Sequence, residues 1–143
     1  MSEINIFKGN VTAGLTDGTV VSRGNGSTPI TTNALDAIGL DESDPIKLAI
    51  RCDAGFKTDG NTTISFIAYP GLGEVDTSDR WAIAPDAGGS HGAWSDWNGQ
   101  LVIADPIGDV NKIFWVKARS KENEEVANDP LVNIKVQTVI TPA

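Results

Sequence analysis

The sequence predicts an all-β fold: an antiparallel β-sandwich of immunoglobulin-like or jelly-roll type. Three observations carry this. Residues 131–140, LVNIKVQTVI, alternate strictly, with Val132, Ile134, Val136, Thr138 and Ile140 on one face and Leu131, Asn133, Lys135, Gln137 and Val139 on the other. Period-two alternation of β-branched residues marks a half-buried strand. Turn chemistry is dense, with 15 Gly and 7 Pro and the dipeptides Asp17-Gly18, Asn25-Gly26, Asp59-Gly60 and Asn98-Gly99. Asn, Asp and Gly tolerate positive φ, which tight turns require. Between these breaks lie short runs rich in Val, Ile, Thr and aromatics, the spacing expected of a sandwich.

Taken in order, the predicted strands are Ile4–Lys8 and residues 11–15, 19–22, 45–53 and 62–69. Residues 80–84, Gln100–Ile103, residues 112–120 and residues 131–140 complete the set. In the run that begins at Ile46, the apolar residues Ile46, Leu48, Ile50 and Cys52 share the inward face. In the next run Ile64, Phe66 and Ala68 oppose Thr63, Ser65 and Ile67. In NKIFWVKARS, Phe114, Val116 and Ala118 alternate against Lys117 and Arg119. That turns Trp115 to the side of the two cations, unless a neighbouring loop covers it. Residues 32–40 have room for one helical turn after a Thr or Asn cap, but Gly39 and the short length limit it. Residues 120–128 are rich in Glu yet lack an apolar stripe, so they are predicted as a loop.

At 143 residues the chain is expected to form one domain, residues 1–143. Residues 1–40 are expected to include a flexible arm or long loop. The stretch 22–32, SRGNGSTPITT, is small, polar and glycine-rich. Such an arm orders on meeting a neighbouring subunit.

The formal net charge is -8, with 19 acids against 11 Lys and Arg. Nucleic-acid binding needs a basic footprint, so no nucleic-acid partner is expected. No membrane partner is expected either: the charge opposes anionic lipid, and no run approaches the roughly 18 apolar residues that span a bilayer. Residues 1–10 carry Glu3 and no apolar stretch, so no signal peptide is expected. The single cysteine, Cys52, allows no internal disulfide, and folding in a cytoplasm is expected.

Catalytic signatures are sparse. His91, the only histidine, lies in Gly88-Gly89-Ser90-His91-Gly92. A general base paired with Ser90 or Ser95 would need an orienting group and an oxyanion hole, and no G-x-S-x-G elbow is present. A loop histidine is the expectation. The glycine run lacks phosphate-loop spacing. Cys52 ends an apolar strand face and is expected to be a buried small hydrophobe. No cofactor and no enzymatic activity are expected.

Acidic groups form the metal candidates: Asp41 and Asp44 with Glu42 between them, Asp76 and Asp79, and the pair Asp105 and Asp109. Calcium needs six or more converging oxygens, and none of these matches D-x-[DN]-x-[DN]-G. Solvated loop carboxylates are the expectation.

Tryptophan is the most informative class. Trp94 and Trp97 sit in the polar segment AWSDWNG, and Trp115 falls on the cation-bearing side of its strand unless a loop covers it. Tryptophan is amphipathic and enriched at protein contacts and sugar platforms. Trp94, Trp97 and Trp115 are therefore the candidate contact residues for a protein partner or a glycan. The competing expectation is that the segment folds over an open sheet edge and buries its rings.

The ensemble Arg80-Trp81-Ala82-Ile83-Ala84-Pro85-Asp86, Gly92-Ala93-Trp94, Leu101-Val102-Ile103, NKIFWVKAR and Asn128-Asp129-Pro130-Leu131-Val132 is distinctive as a set. It resembles small β-sandwich proteins encoded in bacteriophage and prophage structural gene clusters, over about Lys47 to Val139. The resemblance implies a non-enzymatic virion component, for assembly or decoration, working through protein–protein contacts with virion proteins or with itself as a homo-oligomer. It also implies assembly in the host cytoplasm, then residence in the virion. A carbohydrate- or receptor-binding module using exposed tryptophans is the alternative expectation.

Overall fold

A computed structural model describes residues 4–20, 45–68, 81–118 and 132–143. Eight strands form among them: β1 (Ile4–Lys8), β2 (Thr19–Val20), β3 (Ile46–Cys52), β4 (Phe56–Ala68), β5 (Trp81–Pro85), β6 (Gln100–Ile103), β7 (Lys112–Ala118) and β8 (Val132–Pro142). The arm at 22–32, the helical turn at 32–40 and the loop at 120–128 lie outside the described residues, as do Asp41, Glu42, Asp44, Asp76, Asp79 and Arg119.

The strands make two antiparallel sheets, a five-stranded one in the order β2-β1-β3-β7-β5 and a three-stranded one in the order β6-β4-β8. Their inner faces pack as a β-sandwich. Ile4, Ile6, Leu48, Ile50, Cys52, Ile83, Phe114, Val116 and Ala118 from the first sheet meet Ile64, Phe66 and Ile103 from the second. The predicted inward faces of β3 and β7 are the observed ones. On β8, Val136 and Ile140 pack against this core, while Thr138 meets Thr62 through a 2.9 Å hydroxyl–hydroxyl hydrogen bond. Trp81 belongs to the core as well, stacked on Phe66 at 6.0 Å between ring centroids.

One end of the sandwich is plugged by the loop after β6. Ile107 is buried, its amide donates to Thr58 Oγ1 at 2.8 Å, and its carbonyl accepts from the Thr58 amide at 2.9 Å. The buried polar groups of loop and strand thus satisfy each other.

Two expectations are corrected. Residues 11–15 are not a strand. They belong to a compact loop that lies on the outer face of the five-stranded sheet, where Val11 is buried with Ala49 and Ile113 against Phe7 and Trp115. Asp17 holds this loop shut by accepting from the Thr12 amide and hydroxyl, both at 2.8 Å. Gly18 (φ 109°) makes the exit into β2, and a Cβ there would stand 2.6 Å from Val11 Cγ1. Apolar Val11 thus finds burial without pairing. The second correction concerns β4, which begins at Phe56 and not at Thr62. Asp59-Gly60 does not end a strand. Gly60 (φ 85°) sits where the register with β8 shifts, residues 60–62 of β4 lying against the single residue Thr138 of β8 between the pairs Asp59–Val139 and Thr63–Gln137. Positive φ serves an irregularity inside a strand as readily as a turn.

Candidate contact face around Lys117

The segment 91–99 connects β5 to β6 and runs along the outer edge of β5. Amides of Gly92, Ser95 and Asn98 donate to the carbonyls of Pro85, Ile83 and Trp81 at 2.7, 2.8 and 2.8 Å. In return the Ile83 amide donates to Ser95 Oγ at 3.1 Å. The segment does fold over an open sheet edge. It does not bury its rings: Trp94 and Trp97 are both half-buried. The Asn98-Gly99 turn that closes it uses a left-handed Asn98 (φ 61°), as its composition predicts.

Period-two alternation on β7 places Trp115 and Lys117 together on the outer face. The Lys117 ammonium lies 4.8 Å from the Trp94 ring centroid and 5.1 Å from that of Trp97. A cation within about 6 Å of a ring face is attracted by its quadrupole. Trp115 stands opposite Lys47 on β3 and Ala84 on β5, and Ala82 stands opposite Lys117. The small buried side chains of Ala82 and Ala84 leave room for the segment above them. Trp115 itself is half-buried, packed on the small outer cluster, and its Nε1 donates to Asp86 Oδ1 at 3.0 Å. Both sequence expectations for Trp115 therefore meet: it shares the cation-bearing face and also leans on a loop-covered cluster. The fold brings all three candidate tryptophans to one face.

His91 is half-buried and not a free loop side chain. Its ring lies 4.6 Å from that of Trp94, and its Nδ1 is 2.8 Å from the Gly92 carbonyl, to which it donates. The Ser95 hydroxyl accepts from Ile83 and donates to the Asp96 carbonyl at 2.8 Å, so its proton points to backbone. These contacts hold the aromatic segment in shape.

A second cation–ring contact completes the face. The Arg51 guanidinium carbon lies 3.6 Å from the Phe7 centroid, and Nη1 donates to the Asp17 carbonyl at 2.9 Å and to Asn111 Oδ1 at 2.7 Å. Asn111 is buried, and its Nδ2 donates to Asp17 Oδ1 at 2.7 Å and to the Thr12 carbonyl at 3.0 Å. The sequence offered no signal for Asn111 beyond its place before a strand. The hydrogen bonds from the Thr12 amide, then from the Thr12 hydroxyl, hold the Asp17 carboxyl below its ordinary value of 3.8.

Of the acidic candidates, Asp105 and Asp109 are described, and both are exposed. Asp105 lies 3.5 Å from Lys112 Nζ. Among the described residues no three His, Cys, Asp or Glu side chains converge to hold a metal ion. Cys52 is buried at the core, and burial, then Asp53 and Asp109, push its thiol up from its ordinary value, which disfavours a thiolate.

No family model, no curated protein and no solved structure matches the chain.

Proposed function

We propose that this chain is a non-enzymatic structural protein of bacteriophage or prophage particles, acting in virion assembly or decoration through protein–protein contacts. The observation that supports it is the gathering of half-buried Trp94, Trp97 and Trp115 around Lys117 on a rigid sheet face. Contact hot spots favour tryptophan, and a preformed aromatic surface loses little entropy on docking. The cations Lys47, Arg51 and Lys117 share this face of a chain whose net charge is -8. An acidic virion protein is thus the complementary partner, with charge setting on-rate and register. The chain folds in the host cytoplasm and is then carried in the particle.

The test is to purify particles after induction and quantify the chain beside the major structural protein. The wild-type chain is expected at fixed stoichiometry, with incorporation of a Trp94→Ala, Trp97→Ala double variant reduced about tenfold while its thermal transition is retained. Particles free of the wild-type chain would overturn the proposal.

Half-exposed rings also suit the face of a sugar, so a glycan- or receptor-binding module is the second reading. Lys117 already lies over both rings, so a pyranose would have to use the faces it leaves. Quenching of tryptophan emission by a defined glycan would favour this reading; unchanged emission across a broad glycan panel would remove it.

A further inference from the structure

The four edges of the two sheets are treated differently. The edge of β5 is covered by segment 91–99, which bonds the carbonyls of residues 81, 83 and 85 and the amide of Ile83. The edge of β2 is only two residues long. The edge of β6 is four residues long and lies beside β5, where the two sheets approach each other. The fourth edge belongs to β8, which runs for eleven residues. Among the described residues no strand pairs with its outer side.

Proteins blunt edge strands with charge, proline, a bulge, shortness or a cover, because an open row of amides and carbonyls templates further pairing. From Val136 to Thr141, β8 has no charge, proline or bulge of its own, and no other described residue covers it. The residues Val-Gln-Thr-Val-Ile-Thr carry no charge, Pro142 comes only at the strand end, and the register shift near Gly60 adds its extra residues to β4. Val139 points outward on this strand and, at 59%, is the most exposed large hydrophobic residue described.

We propose that the β8 edge pairs antiparallel with β8 of a second copy, joining two three-stranded sheets into one of six strands, β6-β4-β8-β8-β4-β6. An antiparallel pair of identical strands is isologous, so each contact is made twice. A two-fold axis normal to the sheet keeps each residue on its own face, so the pair must be centred on a residue standing opposite itself. Centring on Val139 places Gln137 opposite Thr141 and Thr138 opposite Ile140 of the other copy, and covers the exposed valine with its twin. Opposed β-branched residues stabilise a sheet. Two acidic copies meet here along an uncharged segment, which keeps like charges out of the pairing. This proposal does not rest on the aromatic face: failure of particle incorporation leaves it standing, and its own failure is read in solution mass.

The test combines cross-linking and mass. In Val139→Cys, mild oxidation of dilute protein is expected to give a disulfide-linked dimer, because residues directly opposite stand about 5 Å apart at Cβ. Buried Cys52 does not compete. The control is Val102→Cys, on β6 and the same outer face at 48% exposure. Cross-linking at 139 is expected at least about tenfold faster than at 102, and Val139→Lys is expected to weaken the dimer seen by light scattering about tenfold. Equal cross-linking at both positions, a single-chain mass at every concentration, or a dimer indifferent to Val139→Lys would each overturn it. A single-chain mass with capture of a foreign strand peptide would assign the edge to another partner and also overturn it.

Discussion

Val11, Ala49 and Ile113, on the outer face of the five-stranded sheet, are buried, whereas Val102 and Val139, on the outer face of the three-stranded sheet, stand 48% and 59% exposed. Both faces belong to half-buried antiparallel strands. The difference is what lies over them. Two connections, residues 9–18 and 91–99, are folded back onto the first sheet and bring their own polar fastenings, Asn111 with Asp17 for one and Ser95 with Ile83 for the other. Asp59 and Gln137, among the outward residues of the second sheet, are exposed, and Thr63 is half-buried. A sheet face is therefore made a core or a surface by its loops, and the side chains record which.

The comparison is tested most severely at Asn111. Asn111→Ala removes the buried amide that joins residues 12, 17 and 51, leaving half-buried Asp17 and Arg51 each a partner short. A stability loss of about 2–4 kcal/mol in urea unfolding is expected. Val139→Thr on the bare face is expected to stay within about 0.5 kcal/mol. Equal losses at the two positions would erase the distinction between the faces.

Ser95→Ala comes next. It strips the acceptor from the Ile83 amide at the β5 edge, and a loss of about 1–2 kcal/mol is expected, with faster hydrogen exchange at Ile83 than at the other β5 amides. Unchanged exchange at Ile83 would mean that the edge is held by the backbone bonds of 92, 95 and 98 alone.

The smallest effect is electrostatic and concerns Asp17. Its carboxyl titrates below 3.8 in the folded chain because the Thr12 amide and hydroxyl bond the charged form. Its contribution is thus fully present above the unfolded value and is lost as pH falls through the lowered folded value. Asp17→Asn is expected to flatten the acid limb of the urea midpoint below about pH 4, with little change near neutrality beyond a uniform offset. An acid limb of unaltered slope would show that other carboxylates carry it.

Some of the molecule was legible because its signal is local. The strand Ile4–Lys8, the strand Gln100–Ile103 and the inward faces of β3 and β7 follow from residue order alone. The candidate tryptophans were legible as a class. Their meeting was not, because Trp94 and Trp97 reach Lys117 only when segment 91–99 crosses the β5 edge, and no short-range pattern encodes that crossing. Asn111 gave no signal for the same reason: its partners, residues 12, 17 and 51, are 60 or more positions away.

By itself, the sequence determined that the fold is a β-sandwich, which faces of β3 and β7 turn inward, and where most of the strands lie. Alternation sets the side of a strand on which a residue falls, and burial of apolar area then chooses the side. Only the tertiary structure decided neighbours and covers. It made residues 11–15 a lid and not a strand, carried β4 through Asp59-Gly60, gathered three tryptophans around one lysine, and left β8 at an edge. Strand pairing and loop coverage depend on contacts far apart in the chain, and a period of two is the same whether the neighbour is a strand, a loop or a second molecule.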